Sequence, residues 1–140
     1  MLIGEYRPSI DPKGRISFPS KLREDLGESF VITKGLDDCL SVYCMDEWNK
    51  LVEKVAALPA AKARNIQRFI FASAANVEPD KQGRVLIPQA LRNHADLGSG
   101  EVVVVGLSNH AEIWNAQKWD EINAEMTNET LAEDMIELGF

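Results

Sequence analysis

Residues 11–23 read DPKGRISFPSKLR, and residues 80–92 read DKQGRVLIPQALR. Asp, Gly, Arg, Pro, Leu and Arg keep their places: Asp11, Gly14, Arg15, Pro19, Leu22 and Arg23 recur 69 positions later as Asp80, Gly83, Arg84, Pro88, Leu91 and Arg92. With two residues inserted the echo continues. Leu26-Gly27 meets Leu97-Gly98, VITKGL meets VVVVGL, Val42-Tyr43 meets Ile113-Trp114, and Trp48 meets Trp119. Matches in order over about 40 residues per copy mark an internal duplication. Two copies are too few for a solenoid, so the pattern predicts a pseudo-twofold pair.

Each copy reads as strand, turn, strand, short helix, strand, turn, strand, helix. Asp first and Gly fourth, in DPKG and DKQG, suit a type I turn. Ile16 and Phe18, like Val85 and Ile87, then alternate with Arg15 and Ser17, or with Arg84 and Leu86. Strand parity sends the aliphatic set to the core and both arginines to the other face. Leu86 breaks the polar alternation and suggests burial on both sides. Pro19 and Pro88 open the short helices PSKLRED and PQALRNH, and Gly27 and Gly98 stop them. Between the copies, Trp48, Leu51, Val52, Val55 and Leu58 follow helical spacing. After Pro59, AAKARNIQRFIFASAA predicts a second helix. The divisions are 1–58, first repeat with its helix; 59–75, helical connector; 76–126, second repeat with its helix; and 127–140, an acidic tail either helical or disordered.

The net charge of −7 argues against a nucleic-acid partner, but its distribution does not. Residues 112–140 carry eight acidic side chains against Lys118 alone, so the whole excess lies there and residues 1–111 balance. That leaves room for a basic face. The tail is expected to project away from such a face. No apolar run approaches the roughly 18 residues of a membrane span, and no signal-peptide core is recognisable, which predicts a cytoplasmic protein. Cys39 and Cys44 lack zinc-ligand spacing and read as free thiols. No metal or cofactor is expected. G-x-S-x-G, H-E-x-x-H and the phosphate-binding glycine loop are missing, so neither catalysis nor a small-molecule substrate is expected.

The paired DPKGRISFP…LR and DKQGRVLIP…LR motifs, the intervening RFIFASAA and the full length resemble the MraZ family. The resemblance implies the AbrB/SpoVT class of DNA-binding folds. Here that means a mixed α+β, double-copy, AbrB-like swapped-hairpin β-barrel with peripheral helices, its two repeats forming one pseudo-twofold unit. It also implies a transcriptional regulator, associated with the nucleoid, that binds repeated double-stranded sites upstream of the division and cell-wall gene cluster containing its own gene. Ring-shaped homo-oligomers are implied as well. An antitoxin of the same fold class, holding a toxin protein through the acidic tail, is the alternative.

Arg15 and Arg84 are the leading DNA-binding candidates, because guanidinium pairs bidentately with phosphate or guanine. A purely structural ion pair to Asp11 or Asp80 is the competing reading, and the two are compatible, since five donors exceed what one carboxylate takes. Lys13, Lys81 and Arg7 complete the candidate set as phosphate ligands. Asp11, Gly14, Asp80 and Gly83 are turn-formers. Arg23 and Arg92 fit structural ion pairs as well as DNA contacts. Gln82 and Pro79 stand where the first copy has Lys13 and Ile10, so the second turn has no lysine at its third position and carries its lysine one place earlier, at Lys81.

Overall fold

The computed structural model describes residues 1–139. The strands are β1 (Leu2–Tyr6), β2 (Ser9–Ile10), β3 (Arg15–Ser17), β4 (Phe30–Lys34), β5 (Leu40–Cys44), β6 (Ala75–Val77), β7 (Arg84–Leu86), β8 (Gly100–Ser108) and β9 (Ala111–Asn115). The helices are α1 (Ser20–Leu26), α2 (Met45–Ala56), α3 (Ala60–Ile66), α4 (Gln89–Ala95), α5 (Ala116–Glu125) and α6 (Asn128–Ile136). Among the described residues, nine antiparallel strands run in the order β6-β4-β5-β9-β8-β2-β3-β7, with β1 beside β8, as a nearly closed barrel inside the six helices.

Each repeat gives its strands to the other. β1 and β2 of the first copy pair with β8 of the second, while β6 of the second pairs with β4 of the first. The copies also meet at two symmetric seams. Ile16 lies opposite Val85 where β3 crosses β7, and Ser41 lies opposite Glu112 where β5 meets β9. Equivalent positions flank both centres, as a pseudo-twofold axis through the barrel requires. The expected swapped, double-copy architecture is therefore present. One asymmetry has a direct cause. Ile10 pairs with Ile16 in the first copy, whereas its counterpart Pro79 has no N–H to give and forms no strand.

Both copies fill one core. Ile16, Phe18, Leu22, Phe30, Ile32 and Val42 pack with Val85, Ile87, Leu91, Val102, Val104 and Ile113. Burying such side chains stabilises the fold by about 1.5–3 kcal/mol each. A smaller cluster of Cys39, Val103, Val105 and Trp114 lies under Trp119 of α5. Cys39 is a buried free thiol whose pKa is pushed up by desolvation, and Cys44 is free and half-buried.

Three local expectations need correction. Leu86 is 56% exposed, because the β3–β7 ladder is covered on its core face only. α4 ends at Ala95, where Asp96 takes the left-handed conformation (φ 56°), so Gly98 does not stop it. The connector helix is not regular throughout. α3 ends at Ile66 and widens into a π-turn over Gln67–Phe71, closed by the Ala72 N–H on the Gln67 carbonyl. The Ser73 hydroxyl takes the Phe69 carbonyl at 2.8 Å, and the buried Thr33 hydroxyl takes that of Ile70. Those carbonyls are thus held by side chains from outside a regular helical ladder.

Because β4 needs β6 and β3 needs β7, neither half holds a complete sheet. A fragment of residues 1–69 should be unfolded, or should dimerise by substituting a second copy for the missing repeat. Circular dichroism with light scattering checks this, and a folded monomeric fragment would contradict it.

Candidate nucleic-acid interface

The two Asp-x-x-Gly turns are built alike. The Asp11 Oδ1 accepts the N–H groups of Lys13 (2.9 Å) and Arg15 (2.8 Å), and the Gly14 N–H closes the turn on the Asp11 carbonyl at 2.9 Å. In the second turn, Asp80 Oδ1 accepts from Gln82 and Arg84, both at 2.9 Å, and Gly83 N–H closes on the Asp80 carbonyl. The other carboxylate oxygen accepts the arginine Nε, at 2.7 Å for Arg15 and 2.8 Å for Arg84. Each aspartate therefore shapes the turn and also aims the arginine. Among the described residues, no acceptor meets the Nη groups of either arginine.

The strand register sets where those groups point. Arg15 lies opposite Leu86, and Ser17 opposite Arg84. Partners across a ladder share a face, so Arg15, Ser17, Arg84 and Leu86 all stand on one side, with Ile16 and Val85 buried on the other. The two arginines are diagonal neighbours on this ladder, and such positions are about 7–8 Å apart. That is within a Debye length, about 8 Å at physiological salt, so the two cations act on the same stretch of any polyanion. Lys13 and Lys81 are exposed at the turns beside them.

The turns also hold each other. Ladder bonds continue from Phe18 N–H to the Gly83 carbonyl and from Ile87 N–H to the Gly14 carbonyl, both 2.9 Å. Arg92 of α4 donates its Nε to the Ile87 carbonyl at 2.9 Å and lays its guanidinium on Gly14 of the first turn. Arg23 of α1 donates to the Phe18 carbonyl at 3.0 Å and lies on Gly83 of the second. A Cβ at Gly14 would stand 2.5 Å from the Arg92 Cζ, and one at Gly83 would stand 2.8 Å from an Arg23 Nη. Both glycines have positive φ, 88° and 78°, where other residues are strained by about 1–2 kcal/mol. Arg23 and Arg92 thus bond to carbonyls, not carboxylates, and each braces the turn of the opposite repeat. Sequence alone shows the Arg–Gly pairing only as two repeated residues; the exchange that joins them is a property of the barrel.

Arg7 lies elsewhere. Its guanidinium is held by Asp120 (2.7 Å), Glu101 (3.0 Å) and Glu5 (3.2 Å), which raise its pKa above the ordinary value, Asp120 most. Asp120 belongs to α5, so one of the acidic residues of the C-terminal segment fastens that segment to the barrel. The turns are not equivalent either. Beside the second is a cleft of about 680 Å³ bordered by Arg23, Glu24, Glu28, Glu78 and Asp80, whose carboxylates weaken the positive field around Arg84.

Duplicated turns, exchanged strands and a shared arginine face define a double-copy protein of the swapped-hairpin class. Comparison with known proteins agrees. The MraZ family, described as "MraZ protein, putative antitoxin-like", matches twice, over residues 1–69 and 70–138. The chain is 50% identical to "Transcriptional regulator MraZ" of Heliobacterium modesticaldum, 48% to that of Acetivibrio thermocellus, both over the whole of each chain, and 49% to that of Clostridium tetani, likewise over full length. The chain belongs to the MraZ family. It is a transcriptional regulator, and among its described residues no helix is long and apolar enough to cross a membrane.

The pKa values of Asp11 and Asp80 are lowered, first by the N–H groups of Arg15 and Arg84 and further by their guanidinium groups. A folded-state pKa below the unfolded one means stability that is fully present above the ordinary value of 3.8 and lost as pH falls through the depressed values. The variant Asp11→Asn/Asp80→Asn should therefore be less stable than the native protein at neutral pH, and the gap should narrow below 3.8. Urea melts across the acid range check this. A gap independent of pH would contradict it.

Proposed function

We propose that the face bearing Arg15 and Arg84 binds double-stranded DNA. The observation carrying this reading is that each Nε is fixed on an aspartate while no acceptor among the described residues meets the Nη groups, on side chains that stand partly exposed on the face away from the core. The fork is preorganised, so less side-chain freedom is given up when it meets a phosphate pair or the O6 and N7 of guanine. Lys13 and Lys81 add phosphate contacts that position without specifying sequence. Ser17 lies opposite Arg84 on the same face and adds a hydroxyl donor. Leu86 offers an apolar contact of the kind made to a thymine methyl. Arg7, held by three carboxylates, takes no part.

A single copy of this face, on a chain of net charge −7, binds DNA weakly. Non-specific affinities of such sites are on the order of 10⁻⁴–10⁻⁶ M at physiological salt. Joining several faces in one ring-shaped homo-oligomer raises avidity by about 10²–10⁴ through effective concentration alone. The protein is accordingly proposed to act as a ring on repeated sites upstream of the division and cell-wall gene cluster that includes its own gene, at the nucleoid. Support comes from the family membership and from the need for avidity.

Arg15→Ala should weaken binding to a promoter fragment carrying several repeats by tenfold or more while the melting transition persists. The slope of log affinity against log salt should flatten by about 0.9 for each phosphate that is no longer neutralised. Arg84→Ala should cost less, given the acidic cleft beside it. Fluorescence anisotropy across a salt series checks both. Unchanged affinity in Arg15→Ala would overturn the reading.

A further inference from the structure

Two apolar surfaces of this chain remain uncovered, and each has what the other lacks. The first is an open groove of about 460 Å³ between α2, α3 and the π-turn, lined by Leu51, Val55, Leu58, Ile66, Phe69 and Ile70. Among the described residues its one charged lining residue is Lys54, and Lys62 and Arg64 stand exposed on α3 and Arg68 on the π-turn that follows it. Leu36 projects at its edge, 75% exposed.

The second surface is α6. Its start is firmly specified: the Thr127 hydroxyl accepts the Thr130 N–H at 3.2 Å, and the Thr130 hydroxyl accepts that of Thr127 at 3.3 Å, a reciprocal capping box. Yet no residue of the helix is buried. Leu131 and Met135, spaced i, i+4, are 41% and 40% exposed, and Leu138, in the turn just past the helix end, is 74% exposed. Around this stripe are Glu129, Glu133, Asp134 and Glu137, with no basic residue from 127 to 139. A short capped helix with one apolar stripe gains most of its stability by laying that stripe against a partner.

We infer that α6 of one copy docks into the α2–α3 groove of the next copy. Stripe and groove are both apolar, and the charges around them are opposite along the α3 side, acidic on the helix and basic at Lys54, Lys62, Arg64 and Arg68, while Asp37, Asp38 and Glu53 are the acidic residues at the groove's other edges. The contact is heterologous, since the helix of one copy meets a different surface on its neighbour. Such contacts propagate head to tail and close into rings when the rotation per step allows. The inference rests on the oligomeric reading above and names the surfaces that carry it. It also gives the acidic segment a role away from the DNA-binding turns.

The test uses two full-length variants altered only at exposed positions. Leu131→Asp/Met135→Asp removes the docking helix's stripe, and Leu36→Asp/Leu58→Asp spoils the groove. Light scattering and thermal melting are recorded for the native chain, for each variant, and for an equal mixture of the two. We expect the native chain to be a ring-sized oligomer and each variant to fall to the 15.6 kDa monomer with its melting transition retained. In the mixture one intact helix still meets one intact groove, so the mass should rise to that of a dimer and go no further. A monomeric native chain would overturn the oligomeric reading itself. A native oligomer that the helix variant leaves intact would overturn α6 docking alone. Variants that dissociate but form no dimer when mixed would also overturn it, because the helix would then be pairing with something other than the groove.

Discussion

The ladder between Arg15–Ser17 and Arg84–Leu86 is the constraint on which the rest of this molecule depends. It is short, and it lies on the pseudo-twofold axis, with Ile16 and Val85 buried face to face beneath it. Because the strands are antiparallel and offset by symmetry, bonding them brings two similarly built turns to opposite ends of one small surface. Bonds from Phe18 to Gly83 and from Ile87 to Gly14 then tie each turn to the strand of the other repeat. The arginine of each short helix completes the exchange by lying on the opposite glycine. A turn that would fray on its own is thereby held from outside its own repeat.

The arrangement also resolves how an acidic chain can present a cationic face. Charge is segregated along the sequence and again in space. Within each turn, the aspartate is satisfied by backbone N–H groups and one Nε, so its negative charge serves local order. The outward Nη groups keep their donors. Arg7, which composition alone would place with the cationic set, is drawn to Asp120, Glu101 and Glu5 and serves to pin α5.

Much of this is legible in the residues. The Asp-x-x-Gly-Arg repeat, the alternation after it and the proline-started helices lead to the turns, to the core positions Ile16 and Val85, and to the outward arginines, because these depend on local geometry of period two. What depends on partners across the barrel is not legible. Leu86 reads as buried, since nothing in its neighbourhood says that the ladder has an open face. The connector reads as one helix, since the hydroxyls of Thr33 and Ser73 that take its carbonyls are visible only after folding. Arg7 is the clearest case: of its three carboxylates, Glu5 is a neighbour, but Glu101 and Asp120 come from distant positions. Likewise, the reach of Arg23 and Arg92 to Gly83 and Gly14 follows from strand exchange.

Cross-repeat bracing is central to the proposed DNA-binding face, and a double-mutant cycle on DNA affinity reaches it directly. Arg92→Ala is measured in the native chain, in Arg15→Ala and in Arg84→Ala, on one DNA fragment at one salt concentration. If Arg92 acts by holding the first turn, its effect should disappear once Arg15 is gone and persist in full when Arg84 is gone. An effect that persists undiminished in both backgrounds would mean that Arg92 meets DNA on its own account. An effect that disappears with Arg84 instead would mean that each helix serves its own repeat, and the exchange between repeats would not be what orders the proposed DNA-binding face.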